Sequence, residues 1–341
     1  MCNKAYCTII PPHILEELAK RGNTSCKKTL NDTHRILQKR NTVLNNLLIQ
    51  EEDEENGGRY IYDSQNQYKQ RVELVRKEND PEVDDVIVNE VYDMSGFVRD
   101  YFKTTFDLNS IDNKGMDVIS NIRYGKEYNN AFWDGDEMTY GEGDGIQFKD
   151  FTKAIDVIAH ELMHGVTQFL ANLEYQSQSG ALNEHFSDVF GTIIKQKFLK
   201  QDCSSADWLI GDLIVTDKFP GKAIRSMKAP GTANDFDTQP DHMDNYYAGS
   251  ADNQGVHINS GIPNKAFYLT AIEIGIDNCS IIWFETLKTL WRTANFNDML
   301  DNLLVTTNTL VDQDKINSNA VEVVTNSFTE VGLTQIAKDV L

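Results

Sequence analysis

The sequence predicts an α+β protein of two domains, a β-rich half followed by a helical half, with one long helix at the join. Three observations carry this. At 341 residues the chain suits about two domains and has ample length to bury a core. From about 59 to 150 the signals are short β-prone runs and glycine-rich turns. After 150, apolar residues recur at helical spacing almost to the C-terminus, and no internal repeat or long low-complexity tract intervenes.

The elements follow in order. Residues 1–50 carry eight basic and three acidic side chains, a net +5, which leaves −25 on the rest of a chain whose total is −20. This head reads as two helices, about 13–21 and 30–49. The second bears an apolar stripe of Leu30, Ile36, Leu37, Val43, Leu44, Leu47 and Leu48. A basic module with such a stripe must dock, and the acidic body is the nearest candidate. Glu51-Glu52-Asp53-Glu54-Glu55 and Asn56-Gly57-Gly58 then predict an exposed, protease-accessible linker, because like charges repel and glycine loosens the backbone. Strands are expected at Tyr60–Tyr62, Val72–Val75 and Val86–Val88, and a helix around Asp93–Phe106. Tyr128–Trp133 and Met138–Gly145 should pair through an Asp134-Gly135 turn. Helices are expected over about 151–170, 181–199, 261–275, 279–293, 296–311 and 317–332.

Composition narrows the function classes. Hydrophobic residues at 40% and charged residues at 25% are ordinary for a globular chain. The negative charge argues against nucleic acid and anionic lipid as partners. No apolar run approaches the ~18 residues of a membrane span. The start lacks the apolar core of a secretory signal, so the expectation is a cytoplasmic protein or one released without a classical signal peptide. Five cysteines without a CxxC pair argue against a disulfide scaffold or a cysteine zinc ribbon; a Cys2–Cys7 bridge stays open beside free thiols.

The decisive string is His160-Glu161-Leu162-Met163-His164. On a helix, positions i and i+4 share a face, so both imidazoles can reach one zinc ion. Glu161 sits one step round, near the metal without being bound to it, where a carboxylate can take a proton from water. Twenty residues after His164, Glu184 and Asp188 again lie four apart. Glu184 would complete a His₂Glu set with the fourth position open. Asp188 would accept from the far nitrogen of His160 and fix its tautomer. His185 points off that face and reads as a surface or packing histidine.

His160–Gln168, Gly180–Glu184 with Ser187-Asp188, and Gly255–Gly261 together resemble the thermolysin-like (M4) metallopeptidases over roughly 59–341. Thermolysin is itself a type case of the His₂Glu site. The head, with Ile10-Pro11-Pro12-His13-Ile14-Leu15, resembles the short propeptide of the protealysin-like subgroup. The resemblance implies a zinc-dependent endopeptidase made as a self-processing precursor: an inhibitory propeptide at 1–55, a β-rich subdomain at 56–175 that includes the zinc helix, and a helical subdomain at 176–341. It implies that His257 and Tyr175 stabilise the oxyanion, that Asp252 orients His257, and that Arg225 grips the substrate main chain. It likewise makes Asn130 and Ala131 the edge that pairs with an extended peptide. Phe148, Phe151, Val157 and Ile224 would line a pocket favouring an apolar residue just after the cut. The implied partners are peptide or protein substrates and the chain's own propeptide, on a monomer.

One departure concerns calcium. Asp156, Asp207 and Asp212 match carboxylates of the double calcium site that thermolysin itself carries, but Lys195 stands where a bridging glutamate is expected and Leu209 replaces another acid. The expectation is a lost double site whose space the Lys195 ammonium fills; a Lys195 pointing into solvent is the alternative. For the head, three inhibitory arrangements stay open: Ile9–Leu15 lying over the cleft, Cys7 or Cys2 on the zinc, or His13 on the zinc. Two other functions also remain, a single-residue-trimming gluzincin and a fold retained without turnover.

Overall fold

Residues 7–43 and 57–335 are described by the structure, a computed structural model. The head opens with strand β1 (Cys7–Thr8) and turns through Pro11 into α1 (Pro12–Lys20). Pro12 occupies the first helical position, where its missing amide is not needed and its φ is preset. Ile14, Leu15 and Leu18 form the buried face of α1. Helix α2 (Thr24–Val43) starts earlier than the expected residue 30, because the Asn23 side chain accepts from the Cys26 amide at 2.9 Å and caps it there. Leu30 packs half-buried on the core; the rest of the expected stripe falls outside the described residues or side chains.

Strands β2 (Arg59–Asp63) and β3 (Glu73–Lys77) pair antiparallel. Helix α3 (Val86–Phe106) follows, and it corrects the expected strand at Val86–Val88. Asp85 caps the Ile87 amide at 3.0 Å, and Val88, Val91, Tyr92 and Ser95 then share a buried face, so the β-branched run is a helix start. β4 (Val118–Ile122), which the sequence did not announce, runs parallel to β2. β5 (Ala131–Trp133) and β6 (Met138–Tyr140) form the hairpin expected across Asp134-Gly135. The six strands order as β1-β5-β6-β4-β2-β3, so the head supplies the outer strand beside β5. The expected loose linker is corrected at its end. Gly57 is buried, its carbonyl takes a 2.7 Å bond from Arg99, and a Cβ on it would collide with the Met116 carbonyl. Residues 51–56 of that linker lie outside the described residues.

Helices α4 (Ile155–Leu170) and α5 (Ser177–Phe198) run side by side through the middle of the molecule. Each is buried along most of its length, so polar groups on either must find partners inside. The short strands β7 (Leu209–Ile210) and β8 (Arg225–Ser226) pair beyond them. Helices α6 (Ala251–Asn259), α7 (Gly261–Ile274), α8 (Ile276–Leu287), α9 (Phe296–Asp312) and α10 (Ala320–Glu330) complete the helical half. One apolar cluster runs through both halves and takes in Ile9, Ile10, Ile14, Leu15 and Leu18 of the head. Among the described residues no helix is long and apolar enough to cross a membrane.

Candidate metal centre

Helix α4 carries His160 and His164 one turn apart, and their Nε2 atoms approach to 3.0 Å. Glu184 of α5 completes the cluster, with carboxylate oxygens 3.5 Å from each Nε2, and all three residues are buried. The hydrogen bonds behind the rings decide what these nitrogens carry. His164 Nδ1 lies 2.8 Å from the Asn183 carbonyl oxygen, an acceptor, so Nδ1 holds the proton. His160 Nδ1 lies 3.0 Å from Asp188 Oδ1, which leads to the same assignment. Burial also pushes His164 well below its usual range, which keeps it neutral. Two lone pairs therefore face each other beside a carboxylate, and Glu184 Oε2 has no hydrogen-bond partner. Buried lone pairs and an anion converging in this way repel unless a cation sits among them, and two imidazoles with one carboxylate are a zinc donor set. The chemistry of the site fits zinc.

Around the cluster, Glu161 is buried with no hydrogen-bond partner for either oxygen among the described residues. Burial, and then the charge of Glu184, hold its carboxyl well above the usual range. His257 of α6 donates from Nδ1 to Asp252 Oδ1 at 2.6 Å, and its amide donates to Asp252 Oδ2 at 2.7 Å. Burial pulls the His257 imidazole down, but the charges of Asp252 and Glu184 outweigh it and hold it up, at about 9. Tyr175 donates to Glu184 and lies 3.2 Å from His257 Nε2. Arg225 forms a two-bond fork with Asp188, at 2.8 and 2.9 Å. Arg225 and His160 thereby hold Asp188 far below the usual carboxylate range against the effect of burial. Phe148, Phe151, Val157 and Ile224 are fully buried in the apolar cluster that includes Ile9 and Ile10.

The head occupies this cleft. The Thr8 carbonyl accepts from His257 Nε2 at 2.9 Å, and the Ile9 amide donates to the Ala131 carbonyl at 3.2 Å. The Ile9 carbonyl accepts from Arg225 at 2.8 Å, and the Ile10 amide donates to the Asn130 side chain at 3.0 Å. The stretch in the cleft is thus Cys7–Ile10, with α1 beyond it. Neither Cys7 nor His13 belongs to the metal cluster found among the described residues; Cys2 lies outside them. Away from the cleft, Lys195 is buried at 4% exposure and reaches Asp212 at 2.6 Å, Asp207 and the Leu209 carbonyl at 3.2 and 3.1 Å, and Asp156 at 3.7 Å. The solvent-pointing alternative is excluded. His185, open as surface or packing, is buried, and burial lowers it to about 4.

Sequence reasoning gave no role to Asn183 or Gln239. Asn183 fixes His164, and Gln239 holds the His257 carbonyl at 2.7 Å. Asn183 had a signal: it directly precedes Glu184 on the same helix. Gln239 sits in a loop with no pattern to mark it.

Comparison with known proteins agrees with this geometry. The family model for the thermolysin metallopeptidase catalytic domain matches residues 18–168, and that for the α-helical domain matches 171–333. An extracellular metalloprotease of Pectobacterium carotovorum subsp. carotovorum is 41% identical over 310 residues, which span 87% of this chain and 89% of the relative. Protease PrtS of Photorhabdus sp. (strain Az29) is 40% identical over 351 residues, spanning 97% and 93%. The precursor of protealysin, a metalloproteinase from Serratia proteamaculans, superposes with a TM-score of 0.83 at 38% identity, over 96% of this chain and all of that one.

Proposed function

This chain belongs to the thermolysin metallopeptidase family, and we propose on that premise that it is the self-inhibited precursor of a zinc endopeptidase. The observation that carries the proposal is the placement of the Thr8–Ile9 peptide bond, whose carbonyl accepts from His257 at 2.9 Å and whose nitrogen donates to the Ala131 carbonyl at 3.2 Å, as an extended peptide would. The head supports the reading by lying in the cleft as a substrate would, with main chain on both sides of that bond.

His160, His164 and Glu184 would hold one zinc ion, which when bound acidifies water and polarises a carbonyl. Glu161 takes the proton from the attacking water and passes it to the departing nitrogen. Its unpaired, buried carboxylate suits the work, because burial raises its basicity. His257 and Tyr175 donate toward the carbonyl oxygen as it gains charge, and preorganised donors of this kind contribute about 3–4 kcal/mol each. Asp252 keeps His257 aimed. Arg225, Asn130 and Ala131 hold the main chain after the cut in extended form. Ile9 falls just after the bond and its apolar side chain is fully buried there, which supports a preference for an apolar residue, with Phe148, Phe151, Val157 and Ile224 as the lining. Residues 1–55 are the propeptide. Cys7–Ile10 inhibit by occupying the cleft, and α1 and α2 anchor that strand in place. Lys195 takes the place of calcium.

Incubating the full-length chain with zinc tests this. Self-cleavage near residues 50–58 should release activity against an internally quenched peptide, and Glu161→Gln should abolish both. An uncut chain that is already fully active would overturn the inhibitory role. A zinc-loaded, cut chain that removes only terminal residues would overturn the endopeptidase reading.

A further inference from the structure

Asp188 aims His160, and so must itself be aimed. Its Oδ1 lies 3.0 Å from His160 Nδ1 and accepts from Arg225. Its Oδ2 accepts from Arg225 Nε at 2.9 Å and from Asn264 Nδ2 of α7, also at 2.9 Å. The Asn264 carbonyl oxygen in turn lies 2.7 Å from His185 Nδ1 of α5. His185 Nε2 accepts from the Trp283 indole of α8 at 2.8 Å. All of these side chains are buried, Arg225 at 1% exposure and the rest at 0–1%.

We infer that Trp283, His185 and Asn264 are positioning residues of the metal centre, a hydrogen-bond relay of fixed polarity that holds Asp188, and through it His160, in the metal-binding pose. The inference rests on the metal-centre reading above and adds three residues outside it. The polarity follows from one end. An indole N–H can only donate, so His185 Nε2 must be the bare nitrogen and Nδ1 the protonated one. That N–H donates to the Asn264 oxygen, which fixes the amide so that its NH₂ group faces Asp188. Asp188 then accepts three hydrogen bonds, with His160 Nδ1 3.0 Å from Oδ1, and cannot rotate without breaking some of them. The Asp188 carboxylate 3.0 Å from His160 Nδ1 favours the proton on that nitrogen and leaves the Nε2 lone pair directed at the metal position. Four helices, α8, α5, α7 and α4, are tied in this line. Plain apolar packing would fill the same volume without setting any tautomer.

The test measures zinc affinity by competition with a chromophoric chelator, and the visible absorption of the cobalt(II)-substituted protein. It uses the full-length chain in a Glu161→Gln background, so that no processing intervenes. His185→Phe keeps a ring and removes both polar atoms; Asn264→Leu removes the link to Asp188; His185→Gln can still accept and donate. His185→Phe and Asn264→Leu should each weaken zinc binding about tenfold or more, the scale seen when outer partners of ligands are lost, and should shift the cobalt bands. His185→Gln should restore most of the affinity. A merely structural role would change melting temperature without moving the cobalt spectrum, and His185→Phe decides the matter if Asn264→Leu does not fold. Variants within twofold of a tightly binding parent, with unchanged bands, would overturn this inference alone. A parent that binds no zinc would overturn the metal-centre reading and this inference with it.

Discussion

Asp252, Asn253, Gln254 and Gly255 adopt φ of 53°, 47°, 64° and 83° in succession, a left-handed turn just ahead of His257. That turn brings the Asp252 carboxylate back onto both the amide and the ring of His257. Left-handed backbone costs a residue with a Cβ roughly 1–2 kcal/mol, whereas glycine adopts it freely and loses about 0.5–1 kcal/mol through its larger unfolded entropy. Gln254 is exposed, so Gln254→Gly should stabilise the chain by about 0.5–1 kcal/mol. Its neighbour should do the reverse. A Cβ on Gly255 would sit 2.7 Å from Asn259 Nδ2 and 2.8 Å from the Tyr247 ring, so Gly255→Ala should destabilise by about 1–3 kcal/mol. Chemical denaturation of each variant in the Glu161→Gln chain checks the pair, and equal signs at the two positions would refute the strain argument. These residues also mark what the sequence conceals. His160 and His164 were legible because helical spacing alone brings them to one face of α4, and Glu184 because its four-residue spacing to Asp188 and the family motif marked α5 as the source of a third ligand. Nothing in Asp252–Gly255 has a period, and the reach of Asp252 to His257 depends on a backbone conformation that no side-chain pattern announces.

Helix α5 illustrates the same contrast along its length. Its apolar periodicity predicted the helix, and its four-residue spacing predicted that Glu184 and Asp188 share a face. What the pattern could not give was the direction of Lys195, since a lysine two turns on reads equally well as solvated. Burial settles that direction: Asp156 of α4 and the loop carrying Asp207 and Asp212 close over the ammonium. Burial would lower the pKa of Lys195, but the three carboxylates outweigh it and raise it. Asp156, at 1% exposure, is the member most dependent on it. Removing one partner of a fully buried pair costs about 3–5 kcal/mol. Asp207 is 41% exposed and Asp212 22%, so screening reduces that figure. Lys195→Met should therefore cost about 2–3 kcal/mol by chemical denaturation, and millimolar calcium should leave the parent's stability unchanged. A parent stabilised by calcium would show that the ammonium does not take the ion's place. The strand expected at Val86–Val88 failed for a related reason. β-Branched residues favour strands, yet the cap on Asp85 and burial on a four-residue period outweighed that preference.

For the molecule as a whole, the question is what holds the head on the body. Its charge, opposite to that of the body, suggested docking from sequence, and the structure adds apolar and hydrogen-bonded contacts. Ile9, Ile10, Ile14, Leu15 and Leu18 join the shared core, while Asn23 reaches Asp144 at 2.6 Å and Ser25 reaches Glu127 at 2.8 Å. Among these contacts His13 is sensitive to pH. Its Nδ1 is buried without a hydrogen-bond partner, and its surroundings are Asp252, His257 and Arg225 of the body and Glu17 of its own helix. Burial lowers its pKa below 6.5; Asp252 opposes the shift and His257 and Arg225 add to it. The docked head therefore binds a proton less readily than the released head. This part of the docking free energy is complete above pH 6.5 and is lost as pH falls through 6.5 toward the lowered docked value, at up to about tenfold in the docking constant per pH unit. Hydrogen exchange of the α1 amides in the Glu161→Gln chain, followed from pH 7.5 to 5 and corrected for intrinsic rates, should show protection falling across that window. His13→Phe, which keeps the ring and cannot titrate, should flatten the curve. An identical fall in that variant would mean that the release of the head depends on some other group.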